Sequence, residues 1–578
     1  MNEKLYEYID INDLKDMLDK SGKLYGNNIA YKIRIENGKY KEITHKEVRE
    51  MINGLGTSLL NMGLKDKRIA VIGENRYEWE IAYLAITCGV GTVVPLDKSL
   101  PENELRSLLE RSGVEAIFYS KKYEESLVKM KLEGVGKLKN LISMDRDIHS
   151  DGIYSEKELI QYGRNLVKDG NNEFLNAKID NEKMLIMLFT SGTTSQSKIV
   201  ALSHKNICSN LMDIASILDV NEHDVFLSFL PIHHVFECTV GFLFSLYKGA
   251  QTVFCDGIRH IIENMNEYKV SVMASVPAIY ERIFKIIAKQ LENKGKRQEI
   301  IRLEEVYKNE SMDKKKEVFK DIHDMLGGNV KLLISGAAAL EKSIEDKYRK
   351  LGFNLVQGYG LTETSPVVAI GTKENYKLGS IGKSVPSVEV KLVDVDKDGM
   401  GELVCKGPSV MLEYYENEQA TKDALLDGWF HTGDLAKIDD EGYIFICGRK
   451  KGVIVLKNGK NIFPEEMENL LNRIEGIEES FIYGKPISDD SNDIKIFAKL
   501  VYDEETIKKA YKIESPEEIY DAIFNKVKEI NRTMPPYKAV RGIILSKEPL
   551  IKTTTGKIKR SQNLEVIMKE GKNINESN

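Results

Sequence analysis

The sequence predicts an α/β protein: a large N-terminal domain of parallel sheets covered by helices, a small β-barrel-like subdomain, and a small α+β C-terminal domain attached through a hinge. Three observations carry this expectation. A chain of 578 residues is too long for one ordinary hydrophobic core. Through its first three-quarters, short apolar β-rich runs alternate with longer stretches of helical spacing, as expected of strands covered by helices on both faces. From about Gly379 the pattern turns to short β segments punctuated by glycine.

Taken in order, buried strands are expected at 69–73, 92–95, 116–119, 185–189, 225–230, 272–275, 331–335 and 354–357. Between them, sets such as Ile81, Leu84, Ala85 and Cys88 have the spacing of one helical face. Residues 279–326 are highly charged, with Ile279, Ile283, Ile286, Ile287 and Leu291 at helical intervals. They read as a surface helical insertion with one buried stripe. Segments 388–393, 401–406 and 442–447 supply the small β subdomain, and strand–helix alternation resumes after Arg449. The N-terminal domain is accordingly set at 1–448 and the C-terminal domain at 449–578, with the hinge within 448–452. Beyond Asn563 the tail is polar and is expected to fray.

Bulk properties narrow the function classes. With 42% hydrophobic and 30% charged residues the chain reads as globular and soluble. A net charge of −6 and a pI near 6.0 argue against nucleic acid as a general partner. Six cysteines lie scattered, none in a C-x-x-C pair, as expected of reduced core residues in a cytoplasmic protein. No signal peptide is visible, and the most apolar stretch, 225–247, is interrupted by Pro231, His233, His234 and Glu237. Membrane contact, if made, is expected to be peripheral.

The segment Thr190-Ser191-Gly192-Thr193-Thr194-Ser195-Gln196-Ser197-Lys198 follows an apolar strand. Its hydroxyls, backbone N–H groups and terminal lysine suit polyphosphate oxygens. It is not a Walker loop, because Ser197 precedes the lysine and Ile199 follows it. On its own, the segment is equally compatible with a polar turn between a strand and a helix near 205–218. A second cluster, Gln357-Gly358-Tyr359-Gly360-Leu361-Thr362-Glu363-Thr364, also follows a strand. Both glycines permit close backbone approach, Tyr359 can cover a base, and Thr362 and Glu363 offer hard oxygens for Mg²⁺. The alternative is an ordinary helix start, with Thr362 as its cap.

Together with these two clusters, five more motifs occur in order: residues 230–237 (Leu-Pro-Ile-His-His-Val-Phe-Glu), 335–340 (Ser-Gly-Ala-Ala-Ala-Leu), 429–434 (Trp-Phe-His-Thr-Gly-Asp), 448–451 (Gly-Arg-Lys-Lys) and 549–560, ending Thr-Gly-Lys557-Ile-Lys-Arg560. With them the chain resembles the acyl-adenylate-forming (AMP-binding) superfamily, and within it the long-chain fatty acid–CoA ligases. The resemblance runs from about Tyr25 to Glu565. It departs where Ser195, Ser197 and Ile199 replace the usual Gly, Pro and Gly of the first loop, and where Glu413 replaces a glycine.

The resemblance implies a fatty acid, ATP and CoA as substrates, Mg²⁺ as metal, and two steps: acyl-AMP formation, then transfer to a thiol. Lys557 would bridge the carboxylate and α-phosphate. Ser191, Gly192, Thr193, Thr194 and Lys198 would hold the outer phosphates, and Thr362 and Glu363 the metal. Ser335, Gly336, Ala337, Gly358, Tyr359 and Gly360 would frame adenine, while Asp434 and Arg449 would bind the ribose. His234 would line the acyl pocket, Lys451 would be the hinge, and Lys457, Gly459 and Lys460 would meet CoA in a basic run that holds no acid before Glu465. His233 receives no role. Open alternatives are an acyl carrier protein as thiol donor, an aryl or medium-chain acid, or a non-catalytic lipid or nucleotide sensor on the same scaffold.

Overall fold

A computed structural model describes residues 1–36, 38–190, 197–456, 460–486, 494–552 and 558–575. The chain divides into two compact units. The larger comprises Met1–Val390, Cys405–Phe430 and Asp440–Ile444; the smaller comprises Lys391–Val404, His431–Asp439 and Phe445–Asn578.

Among the described residues of the larger unit, two large sheets form. One has nine strands in the order Lys383–Ser384, Val367–Ile370, Leu355–Gly360, Leu332–Ser335, Val272–Ser275, Val225–Ser228, Gln251–Phe254, Ile29–Glu36 and Lys39–Thr44. Its interior pairs are parallel, and antiparallel strands close both ends. The other has eight strands, Glu413–Tyr414, Lys198–Ser203, Met184–Thr190, Thr92–Leu96, Arg68–Ile72, Ala116–Tyr119, Asn140–Ser143 and Tyr154–Ser155. The eight runs expected as buried strands between 69 and 357 each lie in one of these sheets. Strands not anticipated include Ile29–Glu36 and Lys39–Thr44, which end the nine-stranded sheet; Lys39–Thr44 is its edge strand, paired on one side only, and its charged residues remove the apolar run that marks a buried strand.

The helix Tyr77–Thr87 buries every residue from Trp79 to Thr87, which explains its continuous rather than striped apolarity. The charged insertion forms helices Pro277–Asn293, Arg297–Val306, Met312–Val318 and Lys320–Met325. Only the first carries the expected stripe: Tyr280, Ile283, Ile287 and Leu291 enter a core with Phe319, Ile322 and Tyr348, while Arg297–Val306 buries no residue.

The strands Glu389–Val393, Gly401–Lys406, Trp429–Ile438 and Ile444–Arg449, most of whose residues belong to the smaller unit, contribute to a small sheet. A separate sheet of Ile477–Pro486, Ile494–Tyr502 and Val540–Ser546 packs with the helices Pro464–Leu471 and Pro516–Thr533 around Met467, Ile482, Leu500, Ile523 and Ile543. The second helix starts with proline at its first position and a reciprocal Ser515–Glu518 capping box, a start signal legible in sequence. The tail differs from expectation. Arg560–Asn575 is helical, because Asn563 and Ile567 are buried against the rest of the unit.

All six cysteines are free; Cys88, Cys208, Cys238 and Cys405 are buried, whereas Cys255 and Cys447 are only half-buried. No helix among the described residues is long and apolar enough to cross a membrane.

Candidate active site

The first loop lies differently from a strand-to-helix turn. Thr190 pairs with Lys198 in antiparallel register, so the loop tops a hairpin whose second strand, Lys198–Ser203, precedes the helix His204–Ile217. Ser191, Gly192, Thr193 and Thr194 lie outside the described residues, as do Lys457, Gly459 and Lys557. The two ends of the loop can be placed. Arg111 donates from Nη1 to Ser197 Oγ at 3.0 Å and from Nη2 to the Ser197 carbonyl at 2.6 Å. The same guanidinium lies 5.5 Å from the centre of the Phe189 ring on the opposite strand, fastening both sides of the hairpin.

Glu363 stands on a single 3-10 turn, Thr362–Thr364, rather than at a helix start. Thr364, not Thr362, supplies the capping oxygen: the Leu361 N–H donates to its Oγ1 at 2.9 Å. The structure brings this turn to the hairpin through a residue that sequence reasoning missed. Tyr414, on the two-residue strand Glu413–Tyr414 paired with Lys198–Ser203, places its ring 4.1 Å from Lys198 Nζ. Its hydroxyl donates to Glu363 Oε1 at 2.8 Å, and the Met411 N–H donates to the Glu363 carbonyl. Glu413 itself is exposed, as expected for a surface substitution.

Among the described residues no group of three or more His, Cys, Asp or Glu side chains converges to hold a metal. Thr362 and Glu363 therefore offer a hydroxyl and one carboxylate. That set fits Mg²⁺, which keeps most of its shell for water and phosphate oxygens.

The residues assigned to adenine cluster on neighbouring parallel strands. Ser335 registers with Ser275 on one side and Gln357 on the other. The buried Ser335 and Ser275 hydroxyls have no hydrogen-bond partner among the described residues. Gln357 ties the loop after Ser335 to its own strand, accepting from the Leu340 N–H at 3.1 Å and donating to Glu345 at 3.0 Å. Burial pushes the Glu345 carboxyl up to about 7. Of the two glycines beside Tyr359, only Gly360 is demanded by space: a Cβ there would lie 1.8 Å from the Pro366 carbonyl oxygen, whereas at Gly358 the nearest atom is 3.5 Å away. Ala337 holds a left-handed φ of +67°.

A Cβ on Gly336 would meet the Phe236 ring at 2.8 Å, so the histidine segment packs against this loop. His234 Nδ1 accepts from the Phe236 N–H at 3.3 Å, which places the proton of the neutral ring on Nε2. His233 Nε2 lies 3.7 Å from Asp97. Glu237 is fully buried, accepts from the Ser228 hydroxyl at 2.6 Å, and is pushed by burial up to about 8.

In the smaller unit, Asp434 and Arg449 come together directly, with Nε 2.8 Å from Oδ1. Arg449 is thus a partner within its own unit. The basic run is not isolated either. Although no acid occurs within it, Lys450 reaches Glu402 at 2.8 Å from the small sheet, and Lys460 lies 4.0 Å from the Tyr537 ring centre. Burial pushes the Glu402 carboxyl up, but Lys450 and His431 hold it below its ordinary range. Lys451 is exposed on the turn Lys450–Gly452. Lys552 and Ile558 form an antiparallel bridge. Asn563 braces that bridge by exchanging bonds with both polar groups of Ile551. Arg560 reaches Glu465 at 3.2 Å and Glu468 at 2.6 Å.

The hairpin lysine and the acidic turn lie at the ends of sheet strands, where open α/β sheets bind their ligands. The chain belongs to the AMP-binding enzyme family, whose profile matches residues 18–415. It is similar to Long chain acyl-CoA synthetase 3 of Arabidopsis thaliana, 29% identical over 485 residues that cover 77% of this chain and 72% of that protein. It is also similar to Long-chain-fatty-acid--CoA ligase 1 of Cavia porcellus, 27% identical over 528 residues, 84% of this chain and 73% of that one. Among solved structures, the anthranilate CoA ligase AuaEII in complex with anthranoyl-AMP matches with a TM-score of 0.75 at 19% identity, covering 96% of this chain and 97% of that one. A Mycobacterium tuberculosis fatty acyl CoA synthetase matches with a TM-score of 0.64 at 21% identity, covering 96% and 98%.

Proposed function

We propose that the protein is an AMP-forming acid–thiol ligase that activates a long-chain fatty acid with ATP and passes it to CoA. The observation that carries this reading is the meeting of Lys198, Tyr414 and Glu363, a cation and an acidic turn held together at the end of the hairpin. The relatives named as long-chain synthetases support the chain length. An apolar tunnel can favour long acids, since each buried methylene contributes about 0.8 kcal/mol.

In the first step a carboxylate oxygen attacks the α-phosphorus, the bond to the bridging oxygen breaks, and pyrophosphate leaves. Two anions must meet, so preorganised cations dominate the barrier. Lys557 is assigned to the reacting oxygens, and Lys198 with Ser191, Gly192, Thr193 and Thr194 to the outer phosphates. Thr362 and Glu363 would hold Mg²⁺, whose charge offsets that of the triphosphate. Asp434 and Arg449 are assigned to the ribose, Ser335, Gly336, Ala337, Gly358, Tyr359 and Gly360 to adenine, and His234 to the acid. In the second step the thiol sulfur bonds to the acyl carbon, the bond from that carbon to the bridging anhydride oxygen breaks so that AMP leaves with this oxygen, and the thiol proton passes to solvent. Lys451 is assigned to the hinge between steps, and Lys457, Gly459 and Lys460 to CoA.

Carboxylate-dependent exchange of labelled pyrophosphate into ATP tests the first step across a panel of acids. Exchange strongest with long chains supports the reading; preference for aryl or medium-chain acids overturns the chain length. Absence of exchange with every acid overturns the activity. CoA compared with a purified acyl carrier protein in the transfer assay separates the two thiol donors.

A further inference from the structure

Lys198 and Glu363 are opposite charges brought to one side chain, yet no ion pair joins them. Tyr414 takes both: its ring face lies 4.1 Å from the ammonium, and its hydroxyl donates to one carboxylate oxygen at 2.8 Å. Tyr414 is buried and fixed from three directions. Its strand registers with Val200 and Ala201, its own N–H donates to Thr421 Oγ1 at 3.0 Å, and the neighbouring Tyr415 N–H donates to the Ile199 carbonyl. The phenol is therefore a rigid spacer rather than a side chain that happens to pass by.

We propose that Tyr414 is a positioning residue that keeps Lys198 and Glu363 from neutralising each other, so that the cation stays available to the triphosphate and the carboxylate to its divalent cation. This rests on the triphosphate reading above. The ring offers the ammonium an attraction weaker than a carboxylate would, and a weaker hold is easily exchanged for phosphate. The hydroxyl occupies Oε1 of Glu363 and orients the carboxylate, leaving Oε2 to face a ligand's cation. If the spacer is lost, the long lysine side chain can reach the carboxylate, and ligand binding must first break that pair.

Calorimetric binding of a non-hydrolysable ATP analogue, titrated at several Mg²⁺ concentrations, reads this role without turnover. In Tyr414→Phe the ring survives and the hydroxyl is lost. We expect analogue affinity at saturating Mg²⁺ within about twofold of the parent, but a Mg²⁺ requirement raised about tenfold. In Tyr414→Leu both contacts go, and affinity falls about tenfold even without Mg²⁺. Adding Glu363→Gln to Tyr414→Leu removes the competing carboxylate and should restore most of the Mg²⁺-free affinity, a rescue that a merely structural tyrosine would not give. Identical behaviour of the Phe and Leu variants, or no rescue in the double variant, overturns the proposal. Loss of fold in the Leu variant leaves the Phe variant's Mg²⁺ shift to decide it, with an unchanged requirement counting against. Failure of the parent protein to bind the analogue at all would instead overturn the triphosphate reading.

Discussion

The two units treat opposite charges in opposite ways. In the larger, Lys198 and Glu363 each meet Tyr414, one at the ring and one at the hydroxyl. In the smaller, Arg449 and Asp434 touch directly at 2.8 Å and largely cancel. The first arrangement is assembled over long range, from a hairpin, a 3-10 turn and a two-residue strand. The second is local, formed where the small sheet brings one strand beside the next. The contrast matches the proposed ligands: a spaced pair for the charged triphosphate, and a touching pair for sugar hydroxyls that would share the acceptor with the guanidinium.

Breaking the smaller unit's contribution at its reacting group should have the largest effect. Lys557→Ala is expected to lower pyrophosphate exchange by about a thousandfold or more while transfer from supplied acyl-AMP stays nearly intact. Equal loss of both steps would contradict the assignment. Next comes the base of the segment that carries this lysine. Arg560→Ala leaves the Glu468 carboxylate buried without its cation. It should reduce stability by about 3 kcal/mol in urea unfolding while nucleotide binding by the larger unit persists. Breaking the touching pair is expected to matter less. Asp434→Ala should raise KM for ATP about thirtyfold, or about 2 kcal/mol, with kcat changed little. An unaltered KM would remove Asp434 from the nucleotide site.

A further effect is one of pH. Burial raises Glu237 from its usual 4.5 to about 8. Between those values the native state holds a proton that the unfolded state has released. Stability from this group is therefore full below about 4.5 and is lost as pH rises toward 8. Glu237→Gln should flatten the fall of Tm across that window. A variant whose Tm falls with pH as steeply as the parent would show that Glu237 is not the titrating group.

Local features were legible in the sequence because they are written in contiguous residues. The apolar run before Thr190 and the glycine-flanked Tyr359 each declare themselves through spacing alone. Gly360 was legible as a close approach, and Gly358 beside it was overread, since composition cannot tell which glycine faces a carbonyl. What escaped were contacts made by register. Tyr414 lies 51 positions from Glu363, and Arg111 lies 86 from Ser197. Nothing near either residue marks it. The tail escaped for a related reason: its polar composition hid Asn563 and Ile567, whose burial depends on partners elsewhere in the chain. The acids that meet the basic run were invisible in the same way, because Glu402 and Asp434 precede it on other strands.

Phe236 and Gly336 give the segment assigned to the acid and the loop assigned to adenine a common wall one ring thick. Such a partition cannot be moved for one tenant alone. A side chain at Gly336 would displace the ring and with it the backbone N–H that holds His234, so a substitution chosen to narrow the nucleotide side would reshape the acid side as well. Enlarging the acid side by shortening Phe236 would in turn leave the adenine loop without its support. On those assignments, changes in acid selectivity at this wall are expected to come with changes in nucleotide affinity, so a variant library screened for one should carry the imprint of the other.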